Sequence, residues 1–472
     1  MKRNKTFEQS FFYGFIMIVL MCAGNPVYPQ NNSNQAYRWI EKGRYDRAIQ
    51  LLRTREQTPR VLFWLGYAHF RNGDYEASRS PFKTIQNHYR DHPRYRDALY
   101  YLQKLKLYGV KKADIPKIRV KLAEGNRFTG ESSQNLTIRS GEREITLPPN
   151  NSWKVERVGS IQFRSGKYSL TGEEITIEAP GTMTFRGLDY SGGLRFREHK
   201  NRLIVINTLP LNKYLYGVVK KEVAPKWPLE ALKAQAVASR SFAQSQSYQH
   251  SDRPYDLDAT WFSQVYEGKQ SEVKRIVAAV DKTRGEVLVY NGRIIPAYFH
   301  ANSGGHTEQA SSVWEGESVP YLTSRRDTWS LNSKFSRWSN SIKLSTINER
   351  LGNSGYPPID SPHTLSISKR FQSGRASEFK YKSSGTYERI HAPDFRLAVG
   401  PEILRSTWIT SLEVSGSKLE FEGRGWGHGV GMSQWGAYKM AQTGRDYRGI
   451  LSFYYPRSTL ASQFGPSVMA AR

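Results

Sequence analysis

Short runs in which apolar and polar residues alternate dominate the chain from residue 115 to about residue 200. The clearest runs cover residues 118–122, 136–139, 160–163 and 175–178, and clusters of Asn, Gly and Pro separate them. A period of two places apolar side chains on one face of a β-strand, and the intervening residues favour turns. We therefore predict a β-rich domain over residues 115–200.

Helical and strand patterns are mixed over residues 201–460, which we predict to form one further domain. Residues 203–207 and 286–290, together with residues 294–299, read as strands. The Ala-rich stretch from Pro228 to Gln249 carries apolar residues at helical spacing, and Pro228 in its first turn is a normal helix start. A second helix is predicted near residues 433–441. The fold class is therefore α+β, with an Ala-rich helix in its mixed, β-rich part.

The stretch from residue 31 to residue 110 has helical periodicity and a weak internal repeat. Small and aromatic residues recur after about thirty positions, as Ala36, Gly43, Tyr45 and Ala48 and then as Gly66, Gly73, Tyr75 and Ala77. This pattern resembles tetratricopeptide repeats, in which small residues let paired helices approach closely. The expected role of such a platform is partner binding, and an ordinary helical hairpin is the alternative.

The first residues have the composition of a secretory signal. Lys2, Arg3 and Lys5 precede an apolar run over residues 11–23, and small residues follow it. We predict a signal peptide over residues 1–24 and export to the cell envelope or periplasm. The alternative is an uncleaved membrane anchor, although the run is shorter than the ~20 residues of a spanning helix. Cleavage would remove Cys22, the single cysteine, which suits an oxidising compartment.

The charge balance points to a polyanionic partner. The 472 residues include 69 Lys and Arg against 42 Asp and Glu, for a formal net charge of +27. Such an excess suits nucleic acid, anionic lipid or an acidic envelope polymer. Export makes an envelope component the expected partner and nucleic acid an unsuitable one.

Three segments carry candidate chemistry: residues 209–228, 300–308 and 423–436. In the first, Glu222 lies between an apolar run and the Ala-rich helix, and we predict a strand-to-helix junction that aims its carboxylate into a cleft. Nearby aromatic residues such as Trp227 would shield such a carboxylate from water, as a general acid requires. Judged alone, a Glu in this position is more often a capping or solvated residue.

The third segment has Gly at every second position from 423 to 431. Read as a strand, it has one face of bare backbone and another that carries Arg424, Trp426 and His428. A bare face lets a ligand or another backbone approach closely. His300, His306 and His428 also allow a three-imidazole metal site. Their spacing is not diagnostic, and buried structural histidines are the commoner case.

The order and the amino-acid sequences of the three segments resemble those of the stage II sporulation protein D and amidase-enhancer family over roughly residues 200–460. The resemblance implies a peptidoglycan enzyme, a lytic transglycosylase that cuts between N-acetylmuramic acid and N-acetylglucosamine and leaves a 1,6-anhydro product. It places the catalytic carboxylate at Glu222, which Trp227 and Pro228 follow at the family's spacing. One carboxylate acting as acid and then base is sufficient for this reaction, without a cofactor.

The resemblance also implies a glycan-binding cleft. The residues expected to line it are His300, Ser303, Arg424, His428 and Gln434, with Trp227, Trp426 and Trp435 stacking on sugar rings. The other branch of the family implies an alternative, a non-catalytic glycan-binding enhancer of a peptidoglycan amidase. In either case the helical repeats would recruit an amidase or another envelope protein.

Two adjacent positions depart from the family pattern. Some members bind zinc through Cys and His residues immediately before a Gln-Val-Tyr run. Here Phe262 and Ser263 occupy those positions before Gln264. We therefore predict no zinc at this place, and Glu222 is unaffected by the change.

Overall fold

The computed structural model describes residues 33–42, 44–72, 75–108, 116–259, 266, 268, 273–314, 316 and 318–462. The chain divides between Gln103 and Lys104 into two compact units. The predicted signal segment, residues 1–24, and the Phe262 and Ser263 positions of the zinc argument lie outside the described residues. None of the helices in the described ranges has both the length and the hydropathy of a membrane span.

The first unit is helical, as its periodicity predicts. Its helices are α1 (Ser33–Glu41), α2 (Tyr45–Arg53), α3 (Pro59–Arg71), α4 (Tyr75–His88) and the start of α5 (Arg94–Tyr108). A Cβ atom at Gly66 of α3 would lie 2.9 Å from the ring of Phe82 in α4. The two helices therefore meet at a distance that only glycine allows, which is the function expected of the small residues. The likeness to tetratricopeptide repeats stays a prediction.

The second unit begins with two packed antiparallel sheets. Its strands are β1 (Lys117–Gly125), β2 (Arg127–Glu131), β3 (Leu136–Ser140), β4 (Arg143–Leu147), β5 (Ser152–Val158), β6 (Ser160–Ser165), β7 (Tyr168–Gly172), β8 (Glu174–Glu178), β9 (Thr182–Phe185), β10 (Leu188–Ser191), β11 (Gly193–His199), β12 (Arg202–Pro210) and β13 (Leu257–Asp258). One sheet has the order β13-β1-β12-β11-β8-β3-β4, with β13 parallel to β1, and the other β2-β5-β6-β7. β9 and β10 form a hairpin.

Alternating burial explains how the two sheets pack. β6 and β8 bury every second residue, as the sequence pattern predicts. The buried side chains of both sheets join one apolar core, in which the rings of Trp153 and Phe196 lie 5.9 Å apart. Burial of apolar surface between the sheets is the main stabilising contribution here.

Helices extend this core beyond the sheets. They are α6 (Leu211–Glu222), α7 (Leu229–Gln249) and α8 (Lys274–Lys282). The Ala-rich helix α7 is buried on all sides from Ala231 to Ser245, since small side chains let neighbouring elements close around it. Residues 115–200 and the helices that follow share one core, so these parts of the two predicted domains pack as one body.

The chain then forms β14 (Glu286–Tyr290), β15 (Arg293–Ile294), β16 (Phe299–His300) and the short α9 (Ala310–Val313). The strand predicted over residues 294–299 is wrong in its middle, because only its two ends pair with neighbours. Residues 295–298 are irregular.

An inserted subdomain follows, which the sequence patterns do not predict. It contains β17 (Arg337–Lys343), α10 (Leu344–Asn353), β18 (Ser366–Arg370), β19 (Ala376–Ser383), β20 (Thr386–His391), α11 (Ala392–Val399), β21 (Ile409–Ser415) and β22 (Lys418–Arg424). Its strands form two three-stranded sheets, β17-β22-β21 and β18-β19-β20. It has its own apolar core, where the rings of Phe379 and Phe395 are 4.4 Å apart.

The last elements return to the main body of the unit. They are β23 (Met432–Ser433), α12 (Gln434–Gln442), α13 (Tyr447–Tyr454) and β24 (Thr459–Ser462). β24 pairs with β14, and α12 confirms the helix predicted near residues 433–441.

Candidate active site

The second and third segments are interwoven. β16 runs parallel to β23, which pairs Phe299 with Met432 and His300 with Ser433. Further along, the N–H of Asn302 donates to the carbonyl of Trp426 at 3.0 Å, and the N–H of Trp426 donates back at 2.8 Å. Segments far apart in the chain thus form one backbone framework.

Glycine conformation makes this framework possible, in a way that corrects the strand prediction. β22 ends at Arg424, and the residues after it do not continue a strand. Gly431 has φ +70°, and a Cβ atom there would lie 2.0 Å from the carbonyl oxygen of Tyr298. Gly425 has φ +74° and would place a Cβ atom 2.6 Å from the carbonyl oxygen of Asn302. The bare face therefore accommodates another backbone, which was one of the two expected partners.

Glu222 is the last residue of α6, so the predicted strand-to-helix junction is wrong and the carboxylate lies at a junction between two helices. The Nε2 of Gln434, at the start of α12, donates to Oε2 of Glu222 at 3.0 Å. The same amide lies 3.4 Å from Oε1 of Gln235 on α7. Because Gln434 is only 6% exposed, this chain of polar groups holds the carboxylate in one orientation.

A cleft of about 480 Å³ opens beside this carboxylate, within the ~300–1,000 Å³ common for ligand sites. One wall comes from the body of the unit and includes Glu222, His300, Trp426, His428 and Gln434. The inserted subdomain contributes Pro393, Asp394, Arg396, Leu397, Pro401 and Thr407 to the lining. The cleft also contains aromatic rings that the sequence analysis missed, those of Phe242, Tyr298, Phe299 and Trp314.

Hydrogen bonds determine the tautomers of both cleft histidines. His428 Nε2 lies 2.9 Å from the carbonyl of Phe299, and its Nδ1 accepts from the N–H of Val430. His300 Nδ1 lies 3.1 Å from the carbonyl of Val430. Since a carbonyl can only accept, the proton lies on Nε2 in His428 and on Nδ1 in His300. The Nε2 of His300 is then an acceptor, and it is buried with no hydrogen-bond partner among the described residues.

Both imidazoles are held neutral. Burial lowers the pKa of His428 to about 3, and the Arg396 cation acts in the same direction. Burial, followed by the neighbouring His428 and Arg375, holds the pKa of His300 well below its usual range. Neutral rings add no charge to the cleft.

This neutrality predicts that acid weakens the fold. Below the ordinary histidine pKa of 6.5, His428 becomes protonated in the unfolded chain. In the native state it stays neutral until the pH falls to about 3. The free energy of unfolding should therefore fall as the pH falls from 6.5, by at most about 1.4 kcal/mol per pH unit for one histidine. Chemical denaturation of wild type and His428→Gln between pH 7 and 4 measures this dependence.

The expected result is a shallower pH dependence in His428→Gln. The matched control is His363→Gln, at an exposed position of the inserted subdomain, which should retain the wild-type slope. Equal slopes for His428→Gln and wild type would contradict the assignment of a buried neutral imidazole.

The structure separates the predicted binding residues into two groups. His300, Trp426, His428 and Gln434 line the cleft with Glu222. The other four lie outside its lining: Ser303, Trp227, Trp435 and Arg424.

Packing explains the positions of these four side chains. Ser303 is fully buried, and its hydroxyl lies 2.7 Å from Oδ2 of Asp327. Trp227 is 7% exposed and packs edge-on against Trp435, with ring centroids 5.2 Å apart. The guanidinium of Arg424 lies over the ring of Trp408, at 5.6 Å.

Sequence reasoning missed Gln235, which contacts Gln434, and the polar cleft residues Asp394, Arg396 and Thr407. Gln235 lies on the Ala-rich helix, where a buried amide among small apolar residues was a usable signal. Arg396 lies in a stretch without a recognised motif, and only the fold brings it to the cleft. Within the described ranges no three His, Cys, Asp or Glu side chains gather as metal ligands.

Comparison with known proteins agrees with this geometry. Residues 199–290 match the family described as Stage II sporulation protein, and residues 330–431 match a domain of unknown function (DUF8618). An uncharacterised protein of Brachyspira hyodysenteriae is 38% identical over 315 residues, which cover 66% of this chain and 83% of that protein.

Two relatives from Bacillus subtilis carry functional names. The amidase enhancer is 33% identical over 52% of this chain but only 40% of its own length. Stage II sporulation protein D is 29% identical over 53% of this chain and 74% of its own length. The family match coincides with the stretch that carries Glu222, and these relatives support a role related to the cell wall. The chain belongs to the stage II sporulation protein D family.

Proposed function

We propose that this chain is an exported peptidoglycan lytic transglycosylase that cuts glycan strands between N-acetylmuramic acid and N-acetylglucosamine. The observation that carries the proposal is the position of Glu222. Its carboxylate lines a cleft of glycan-binding size and is oriented by the buried amide of Gln434. An oriented carboxylate in a partly enclosed cleft is the arrangement that general acid catalysis requires.

The reaction needs one carboxyl group and no external water. Protonated Glu222 donates its proton to the glycosidic oxygen, and the bond from that oxygen to the muramyl anomeric carbon breaks. The muramyl 6-hydroxyl oxygen forms a new bond to the same carbon, and its proton passes to the Glu222 carboxylate. One strand then ends in a 1,6-anhydro sugar, the other regains a hydroxyl, and Glu222 is protonated for the next cycle.

Other cleft groups suit a carbohydrate. Trp426 lines the cleft, and its ring packs 5.1 Å from that of Phe335, which in turn lies 5.5 Å from Trp435. Of these three half-buried rings only Trp426 lines the cleft, where it offers an apolar face to a sugar ring.

The proposal extends to location and partners. The predicted signal segment would deliver the chain to the envelope or periplasm, and the net charge of +27 would favour adhesion to an anionic wall. The helical first unit would bind an amidase or another envelope protein. A variant that begins at Lys104, and so lacks the first unit, should still cleave isolated glycan strands but should no longer bind such a partner.

Digestion of purified glycan strands tests the reaction. Wild-type protein is incubated in heavy-oxygen water with strands from which stem peptides have been removed, and the ends are identified by mass spectrometry. We expect anhydromuramyl ends, which are one water lighter than hydrolysis products and carry no label. Labelled reducing ends would instead indicate a hydrolase, in which Asp394, the other carboxylate lining the cleft, would have to supply a base.

The second candidate is a non-catalytic enhancer of a peptidoglycan amidase. Its support is the relative named amidase enhancer, which matches half of this chain. This candidate predicts that the protein stimulates a purified amidase on intact peptidoglycan and produces no anhydro ends. Stimulation that survives Glu222→Gln would favour it over the catalytic proposal.

A further inference from the structure

The inserted subdomain, whose matching domain family has no known function, supplies one wall of the cleft. This wall consists of α11 and the loop that follows it. Asp394 and Arg396 are its charged members, while Leu397 is 45% exposed and apolar. The chain thus places a cation in the same cleft as the oriented Glu222 carboxylate, at a position that the family motifs do not include.

The guanidinium of Arg396 is held by backbone carbonyls. Its Nε donates to the carbonyl of Leu404 at 2.8 Å, and its Nη2 donates to that of Arg405 at 3.2 Å. Two such bonds fix the plane of the fork, and the side chain remains part of the cleft lining. A pre-oriented guanidinium loses little conformational freedom when it binds a ligand.

One carboxylate, that of Glu402, acts on the charge of Arg396 and raises its pKa, against the larger lowering effect of burial. Within the described ranges Arg396 makes no ion pair with a carboxylate. The nearby Glu402 pairs with Arg350 at 2.7 Å, and Asp394 lies 3.7 Å from His391.

Further positive charge acts on Arg396 from Arg375, although the carboxylate of Glu308 partly offsets the charge of Arg375. Arg375 is fully buried, and two of its guanidinium nitrogens have no hydrogen-bond partner among the described residues. Burial, and then the charge of Arg375, lowers the pKa of Arg396 to about 10. A partly buried cation with a second cation near it favours an incoming anion.

We propose that Arg396 binds a carboxylate of the glycan strand, so that the α11 wall is a carboxylate subsite. The inference rests on the proposed function, since the carboxylate it names is the lactyl group of N-acetylmuramic acid. The forked guanidinium matches a carboxylate. Leu397 and Pro393 supply apolar contact for the lactyl methyl group.

The subsite would give the inserted subdomain a role in specificity. A lactyl carboxyl that still carries a stem peptide is an uncharged amide, which offers the guanidinium no anion. A glycan strand with a free lactyl carboxylate provides the anion that pairs with the guanidinium of Arg396. The wall would therefore distinguish the two states of the same sugar, while Glu222 performs the cleavage.

A chemical change in the substrate tests this without altering the protein. Peptide-free strands are compared with the same strands after conversion of their carboxylates to primary amides by carbodiimide and ammonia. Affinity is measured by calorimetry with Glu222→Gln protein, and KM and kcat with wild type. We expect the amide strands to bind about tenfold or more weakly, with the effect mainly in KM.

Protein variants complete the comparison. Arg396→Gln should bind both strands with equal affinity, whereas Arg389→Gln should discriminate like wild type. Arg389 is a matched control because it is an exposed arginine of the same subdomain that pairs with Glu378. Equal binding of both strands by the Glu222→Gln protein would overturn the inference, whether or not wild type cleaves. Discrimination in binding without any cleavage would uphold the subsite and count against the proposed reaction.

Discussion

Replacing Glu222 with glutamine should lower the kcat of glycan-strand cleavage by about 10³-fold or more. The amide has nearly the same shape and can still pair with Gln434, whose Nε2 lies 3.0 Å from Oε2 in the wild type. It has no acidic proton to give to the leaving oxygen and cannot take one from the attacking hydroxyl. Because one group serves both steps, both are lost together. Anhydromuramyl ends counted by mass spectrometry measure the effect.

Glu142→Gln is the matched control for this loss. It makes the same change of charge at an exposed turn between β3 and β4, and it should leave cleavage unchanged. Both variants should unfold at the wild-type temperature. Equal product from Glu222→Gln and wild type would refute the assignment of Glu222 as acid and base, and would leave the enhancer as the better candidate.

Replacing Gly431 with alanine should destabilise the second unit by roughly 3–5 kcal/mol and abolish cleavage. The new Cβ atom would lie 2.0 Å from the carbonyl oxygen of Tyr298. That oxygen already accepts from the N–H of Met432 at 3.1 Å and the hydroxyl of Tyr455 at 2.7 Å. Relief of the clash must separate β16 from β23, which position His300 and Gln434. Thermal unfolding monitored by circular dichroism, with the strand assay, measures both effects.

Gly416→Ala separates the close approach from backbone strain. Gly416 also has positive φ, +59°, but nothing lies within 4 Å of the point that the methyl group of an alanine would occupy. We expect this control to cost only about 1–2 kcal/mol and to leave cleavage intact. If Gly431→Ala and Gly416→Ala unfolded at the same temperature, the close approach of Gly431 to the carbonyl of Tyr298 would not contribute to stability, which would contradict the prediction.

Two charged residues of the cleft lie in stretches of the chain that match different families. Glu222 lies in the stretch that matches the stage II sporulation family, whereas Arg396 lies in the stretch that matches the domain of unknown function. Chemistry and substrate choice would then reside in different stretches of the chain. Changes in α11 could alter the recognised glycan without disturbing the hydrogen bond between Gln434 and Glu222.

Local pattern predicted the regular elements well. The alternation in residues 160–163 and 175–178 corresponds to β6 and β8, and the Ala-rich stretch that begins after Pro228 is helix α7. Side-chain periodicity is set by backbone geometry within a few residues, so the sequence carries it directly. The strand predicted from the period-two pattern of glycines was wrong because this link between side-chain position and backbone geometry does not hold for glycine. Glycine has no side chain to place on a face of a strand. Gly425 and Gly431 instead adopt a positive φ, which glycine does without strain.

The sequence by itself determined many of the regular elements, the candidate carboxylate and, through the resemblance of three segments, the family. Tertiary structure alone decided which candidates share a site. His300 and Val430 are hydrogen-bonded across 130 positions, and Glu222 and Gln434 across 212. Ser303 is buried, while Arg396, which belongs to no recognised motif, reaches the cleft. The physical reason is that periodicity reports only local geometry, whereas burial and cleft lining depend on contacts between distant parts of the chain.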